Sequence, residues 1–230
     1  MSITENLARV RADIYDAALA AGRDPSSVRL LPVSKYHPAD QIREAHAAGC
    51  TLFGENRVQE MAAKHAELAD EGIGFAVIGP VQSNKVKPVA ELAAELQSLE
   101  SLSLAEKLNR RCEALGRRLP VLVQVNTSGE PQKSGIAPAD AVGFARSLQG
   151  REGLDVRGLM TMAVFSHDEA EVAACFQRLV DAQARIRDAV GGGYDELSMG
   201  MSGDFRIAIA HGSTCVRIGT AIFGPRLNLR

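Results

Sequence analysis

Three groups of residues in this 230-residue chain could do chemistry, and the first is one lysine. Lys35 follows directly on the apolar run Val28-Arg29-Leu30-Leu31-Pro32-Val33, in a chain where only six of the 26 basic residues are lysine. An amine at the end of a buried strand is partly desolvated. Burial disfavours the ammonium form, lowers its pKa and frees a neutral amine to attack a carbonyl and form a Schiff base. A lysine that merely snorkels from a strand end accounts for the same position. The second group is a pair of loops. Ser202-Gly203 and Gly219-Thr220 each precede a short helical pattern, so hydroxyls and backbone N–H groups at two helix N-termini could share one phosphate. Either loop alone reads equally well as an N-cap or a tight turn, but on adjacent strands the two favour phosphate. The third is Arg217, two residues before Gly219 on an apolar strand, which needs a salt-bridge partner or a ligand to offset desolvation of its charge. With a phosphate at Gly219 and Thr220 and an aldehyde on Lys35, a ring would span the space between them. A ring nitrogen facing Arg217 would then stay unprotonated, weakening the ring as an electron sink.

The elements between these residues must position them. Residues 2–21 set Ile3, Leu7, Val10, Ile14 and Ala17 at three-and-four spacing behind a Ser2/Glu5 capping box, which predicts an amphipathic leading helix ended by Gly22 and Pro25. Short apolar runs then recur at 28–33, 51–53, 75–78, 96–99, 121–125, 156–162, 196–199 and 215–218. Helical patterns lie between them at 38–48, 57–70, 85–94, 102–115, 138–148, 168–190 and 204–211. Brief strands alternating with helices, and no hairpin dipeptide between neighbours, predict a parallel sheet with right-handed crossovers. Eight such units predict an α/β fold: a single (β/α)8 TIM barrel over residues 1–230 with an extra N-terminal helix, in preference to a doubly wound sheet with fewer strands. Pro32 counts against a central place for the first strand. In such a barrel the site lies at the carboxyl ends of the strands, where Ser34-Lys35-Tyr36-His37, Gly54-Glu55-Asn56-Arg57, Met199-Gly200-Met201-Ser202-Gly203 and Arg217-Ile218-Gly219-Thr220 converge on one rim.

Composition excludes several classes of function. With 26 basic against 28 acidic residues and no block of like charge, the chain carries no footprint for tracking nucleic acid or an anionic membrane. Cys50, Cys112, Cys175 and Cys215 are far apart and form no C-x-x-C, so they read as reduced core residues and no metal site is expected. No stretch approaches the ~20 apolar residues of a spanning helix and no leader opens the chain, so a cytoplasmic location is expected. Neither G-x-G-x-x-G after the first strand nor G-x-x-x-x-G-K-[ST] occurs.

Six blocks then carry a resemblance. Leu31-Pro32-Val33-Ser34-Lys35, the run Phe53 to Glu60, the run Ile78 to Lys85, Arg157-Gly158-Leu159-Met160, the run Leu197 to Ser202 and the run Val216 to Gly224 look like the pyridoxal phosphate homeostasis proteins. The resemblance implies a barrel similar to the N-terminal domain of alanine racemase, with pyridoxal 5′-phosphate (PLP) held as a Schiff base on Lys35. It implies that Arg217 faces the pyridine nitrogen, that Ser202, Gly219 and Thr220 hold the phosphate, and that Asn56 and Met199 line the ring. It also implies a monomer without catalysis of its own, serving vitamin B6 homeostasis by buffering PLP and delivering it to PLP-dependent apo-enzymes. The family commonly has Trp-His two residues ahead of the third-strand Ile-Gly; here Phe75-Ala76-Val77 stand there, so any role of that histidine is absent.

Two other functions compete. A PLP-dependent amino-acid racemase would use the same lysine but needs a base on each face of the ring, and none of Tyr15, Tyr36 and Tyr194 is well placed for it. His37, His167 and His211 are weak candidates, and His46 and His65 lie on predicted helices facing solvent. A Schiff-base aldolase would use the phosphate loops for a substrate instead of a cofactor.

Overall fold

The computed structural model describes residues 2–130 and 132–225. The leading helix α1 (Ile3–Ala20) begins at a complete capping box: the Glu5 N–H donates to Ser2 Oγ at 3.1 Å and the Ser2 N–H donates to Glu5 Oε2 at 2.7 Å. Its apolar stripe, Ile3, Leu7, Val10, Ile14 and Ala17, is buried. Replacing Ser2 with Ala removes one side of the box and should cost about 1 kcal/mol, read from urea unfolding.

Among the described residues eight strands follow: β1 (Arg29–Pro32), β2 (Leu52–Glu55), β3 (Gly74–Val77), β4 (Glu95–Leu99), β5 (Leu119–Gln124), β6 (Leu154–Met160), β7 (Glu196–Ser198) and β8 (Cys215–Ile218). The crossovers are α2 (Ala39–Ala47), α3 (Val58–Glu67), α4 (Val86–Leu92), α5 (Leu102–Ala114), α6 (Ala141–Leu148), α7 (Glu169–Val190) and α8 (Phe205–Ala210), and α9 (Thr220–Phe223) follows β8. All strand pairs are parallel, in the order β1-β8-β7-β6-β5-β4-β3-β2. Alternating apolar residues explain the layers. Phe53, Phe75, Val77, Leu96 and Val123 pack outward with the helices, while Leu31, Val33, Ala76, Ile78 and Cys215 form a smaller cluster inside the ring. α1 packs on α2, α8 and α9, covering the seam where the first and last units meet.

The ring closes narrowly between β1 and β2, and Pro32 is the reason. Arg29 and Val33 donate their N–H groups toward β8, to Thr214 O and Ile218 O, so by two-residue alternation positions 32 and 34 face β2. Ser34 donates to Gly54 O at 3.0 Å, but proline has no N–H to give, and one Val33–Gly54 bridge makes the join. The proline sits at a thinly paired join, consistent with its avoidance of fully paired positions. Observed strands and helices start or stop a few residues from the expected ends. Residues 138–140 form a turn, with Asp140 at the N-cap position of α6 but no side-chain cap bond, and β6 ends at Met160 so that Met162 is free to turn toward the mouth.

Candidate cofactor cleft

The carboxyl ends of β1, β2, β3, β6, β7 and β8 open onto a cleft of about 260 Å³. Lys35, Asn56, Ser202, Arg217, Gly219 and Thr220, six of the seven expected site residues, line it together. Met199 does not. Ser198 points into the ring, where it bonds Gln97 and Arg217, so its neighbour Met199 must point outward, and it is fully buried against the helices. Ser198, a polar residue inside an apolar run, was the signal for that parity. Met201 and Gly203 of the expected rim line it too, and Val33, Ile78 and Met162 do so without having been singled out. Each follows a strand end, where apolar residues are indistinguishable from core by pattern alone.

The turn that presents Lys35 is strained and clamped. Tyr36 has φ 67°, a left-handed conformation costly for a non-glycine residue. Its N–H donates to Glu60 Oε1 at 2.5 Å, and the Ser34 carbonyl accepts from Lys64 Nζ at 2.8 Å. Lys64, buried on α3, also pairs with Glu55 at 2.6 Å and Glu60 at 2.8 Å, and Ser34 Oγ donates to Glu55 Oε1 at 2.6 Å. The triad of Lys64, Glu55 and Glu60 therefore holds the backbone on both sides of Lys35, a role no local pattern revealed. Arg57 lies over the Tyr36 ring, 5.5 Å from its centroid.

Glu55 is fully buried, and its second carboxylate oxygen, Oε2, has no hydrogen-bond partner among the described residues. Burial pushes its pKa above the ordinary 4.5, with Lys64 opposing. The folded state therefore holds this proton more tightly than the unfolded chain. The corresponding stability is fully present below pH 4.5 and lost as pH rises through the folded pKa. Relative to wild type, Glu55→Gln protein should lose less stability between pH 4.5 and neutrality, measured from urea midpoints across that range.

Arg217 is 4% exposed and is held by neutral groups: it donates to Ser198 Oγ and to the Thr161 carbonyl, each at 2.7 Å. Burial lowers its pKa from the ordinary value, with Cys215 and Asp204 opposing. Below it a string of hydrogen bonds runs down the inside of the ring. Ser198 donates to Gln97 Oε1 at 2.7 Å and Gln97 Nε2 donates to Glu95 Oε1 at 2.5 Å. Arg29 then bonds both Glu95 and Glu196, at 2.9 Å each. The guanidinium is thus fixed at the cleft floor, and among the described residues no carboxylate contacts it directly.

Ser202, Gly219 and Thr220 line the same cleft. α8 starts at Phe205 and has only six residues, and α9 has four, so the cradle rests on hydroxyls and loop N–H groups more than on helix macrodipoles. Asp204 shapes the first loop by accepting the Met201 N–H at 2.5 Å. Gly219 backs onto β1: a Cβ there would stand 3.2 Å from Val33 O. None of the expected alternative bases lies in the cleft. Tyr15 is exposed on α1, Tyr194 is buried at the start of β7 with its pKa pushed up to about 12 by burial, and His37 stacks on Phe223. His211 bonds Ile207 O, and His167 packs edge-on against Phe165. His46 is also not simply solvent-facing, since its Nδ1 bonds Cys50 O at 2.7 Å.

Comparison with known proteins agrees with this geometry. Residues 6–226 match a model of the family "Alanine racemase, N-terminal domain". The Pyridoxal phosphate homeostasis protein of Pseudomonas aeruginosa is 46% identical over 98% of this chain and 96% of its own. That of Escherichia coli K12 is 41% identical over 97% of each. The structure of PipY from Synechococcus elongatus with PLP bound superposes with a TM-score of 0.86 at 39% identity, covering 97% of this chain and all of that one. Alanine racemase from Streptomyces coelicolor, at 20% identity and TM-score 0.76 over 59% of its length, shares the barrel. By sequence over nearly its whole length and by fold, this chain belongs to the alanine racemase N-terminal domain family and, within it, to the pyridoxal phosphate homeostasis proteins.

Proposed function

We propose that this chain binds PLP through the Lys35 amine and keeps it for delivery to PLP-dependent apo-enzymes in the cytoplasm, as a protein of vitamin B6 homeostasis without turnover of its own. The observation that carries the reading is the meeting, in one cleft, of a single amine, a buried guanidinium and a hydroxyl-and-glycine cradle. The residues fit the cofactor. The cleft is close to the size usual for small-molecule sites. Arg217 offers donors to a ring nitrogen, and the cradle offers hydroxyl and backbone donors to a phosphate.

When bound, PLP supplies an aldehyde carbon that an amine can capture and a ring that draws electrons from it. The chain's residues restrain that chemistry. Arg217, fixed from below by Ser198, disfavours a proton on the ring nitrogen. Among the described residues lining the cleft, Lys35 and Arg217 are the only titratable ones, so a proton could be moved on one face of a substrate at most. Racemisation needs both faces, and this favours the carrier over the racemase.

The test is transfer. Chain loaded with one equivalent of PLP should reactivate a PLP-dependent apo-enzyme while producing no D-isomer from L-amino acids above the level of free PLP. Isomerisation that disappears in Lys35→Ala protein would make the chain an enzyme.

A further inference from the structure

The block Gln82-Ser83-Asn84-Lys85 after β3 has no part in the cleft, yet it borders a second concavity. Between α4 and α5 a hollow of about 510 Å³ is lined by Ser83, Asn84 and four cations, Lys87, Lys107, Arg110 and Arg111. Arg111 is neutralised by Glu91. Lys107 is held at the wall by donating to Ser83 Oγ at 3.0 Å. Among the described residues no carboxylate oxygen lies within 4.0 Å of Lys87, Lys107 or Arg110. The gathering is not a by-product of a basic chain: the net charge is −2, and of six lysines three, Lys85, Lys87 and Lys107, belong to this small region.

Every charged or amide group left over in the hollow donates hydrogen bonds, and like charges crowded in a concavity focus a positive field that an anion relieves. Val86 and Ala114 add apolar surface beside the donors. We propose that this hollow is a non-covalent phosphate site, taking inorganic phosphate or the phosphate end of a monoester whose body rests on Val86 and Ala114. It is separate from the PLP cleft and does not depend on that reading.

Calorimetric titration of the full chain, with the cleft first filled by PLP and fixed with borohydride, tests it using inorganic phosphate and adenosine 5′-monophosphate. One saturable site is expected, weakened by salt, and about tenfold or more weaker in the Lys87→Ser/Lys107→Ser double variant, since each lost charge-assisted hydrogen bond is worth that much. The Lys87→Arg/Lys107→Arg variant should restore it. Tighter binding of the nucleotide identifies a monoester as the ligand, and equal binding identifies free phosphate. Absence of a saturable site in wild type, or the same affinity in the serine variant, overturns the proposal. The comparison of wild type with the serine variant isolates the hollow whether or not the cleft holds PLP, and PLP uptake by both proteins reports separately on Lys35.

Discussion

Lys35→Ala protein should leave purification colourless, and borohydride reduction of wild type loaded with PLP should place the pyridoxyl mass on the peptide holding Lys35. The other lysines are worse candidates for physical reasons. Lys64 is locked between Glu55 and Glu60, and Lys85, Lys87, Lys107 and Lys133 are absent from the cleft lining. The alanine variant should still bind PLP weakly through Arg217 and the phosphate cradle. The expected loss in affinity is about a thousandfold or more, because the covalent link is gone and only a few charge-assisted hydrogen bonds remain. Folding should be nearly unaffected, since Lys35 is half-buried at a rim. An adduct mapped to another lysine, or unchanged affinity in Lys35→Ala, would remove the basis of the proposed function.

Arg217→Met should separate binding from stability. A charged hydrogen bond is worth about 1.5–3 kcal/mol, so PLP affinity should fall roughly 10- to 100-fold while Lys35 remains the point of attachment. Without ligand the variant should match wild type to within about 1 kcal/mol in urea. Removing a buried cation relieves desolvation, while the Thr161 carbonyl loses its donor. The bound chromophore should also acquire a pH titration near neutrality that wild type lacks, as the ring nitrogen becomes free to take a proton. Arg217→Lys should be intermediate, since one ammonium cannot reproduce the planar fork that spans Ser198 and Thr161. Equal affinity in wild type and Arg217→Met would show that the guanidinium serves only the interior string of hydrogen bonds.

That string shows how the barrel reconciles polarity with burial. Glu95, Gln97, Ser198 and Arg217 are all buried, and each is hydrogen-bonded to the next, so none contributes an isolated polar group to the interior. The Lys64 triad, Glu55 Oε2 apart, follows the same logic and ties α3 to the turn bearing Lys35. Both networks place rigid supports beneath a site whose outer residues lie on loops.

Much of this was legible in the amino-acid order. The capping box, the stripe of α1, the eight apolar runs and the convergence of Lys35, Asn56, Ser202, Arg217, Gly219 and Thr220 all follow from local signals: a cap, a period, or a residue type at the end of a run. Those signals work because a helix or strand declares its buried face over a few residues. Only the closed ring decided the rest. Pro32 thins the β1–β2 join, Met199 turns outward, Lys64 is buried behind Lys35, and Arg29 meets Glu95 across the sheet, 66 residues away. Such pairings depend on the register of strands distant in sequence, which no local window contains, and the cost of burying unpaired charge then fixes which partners meet.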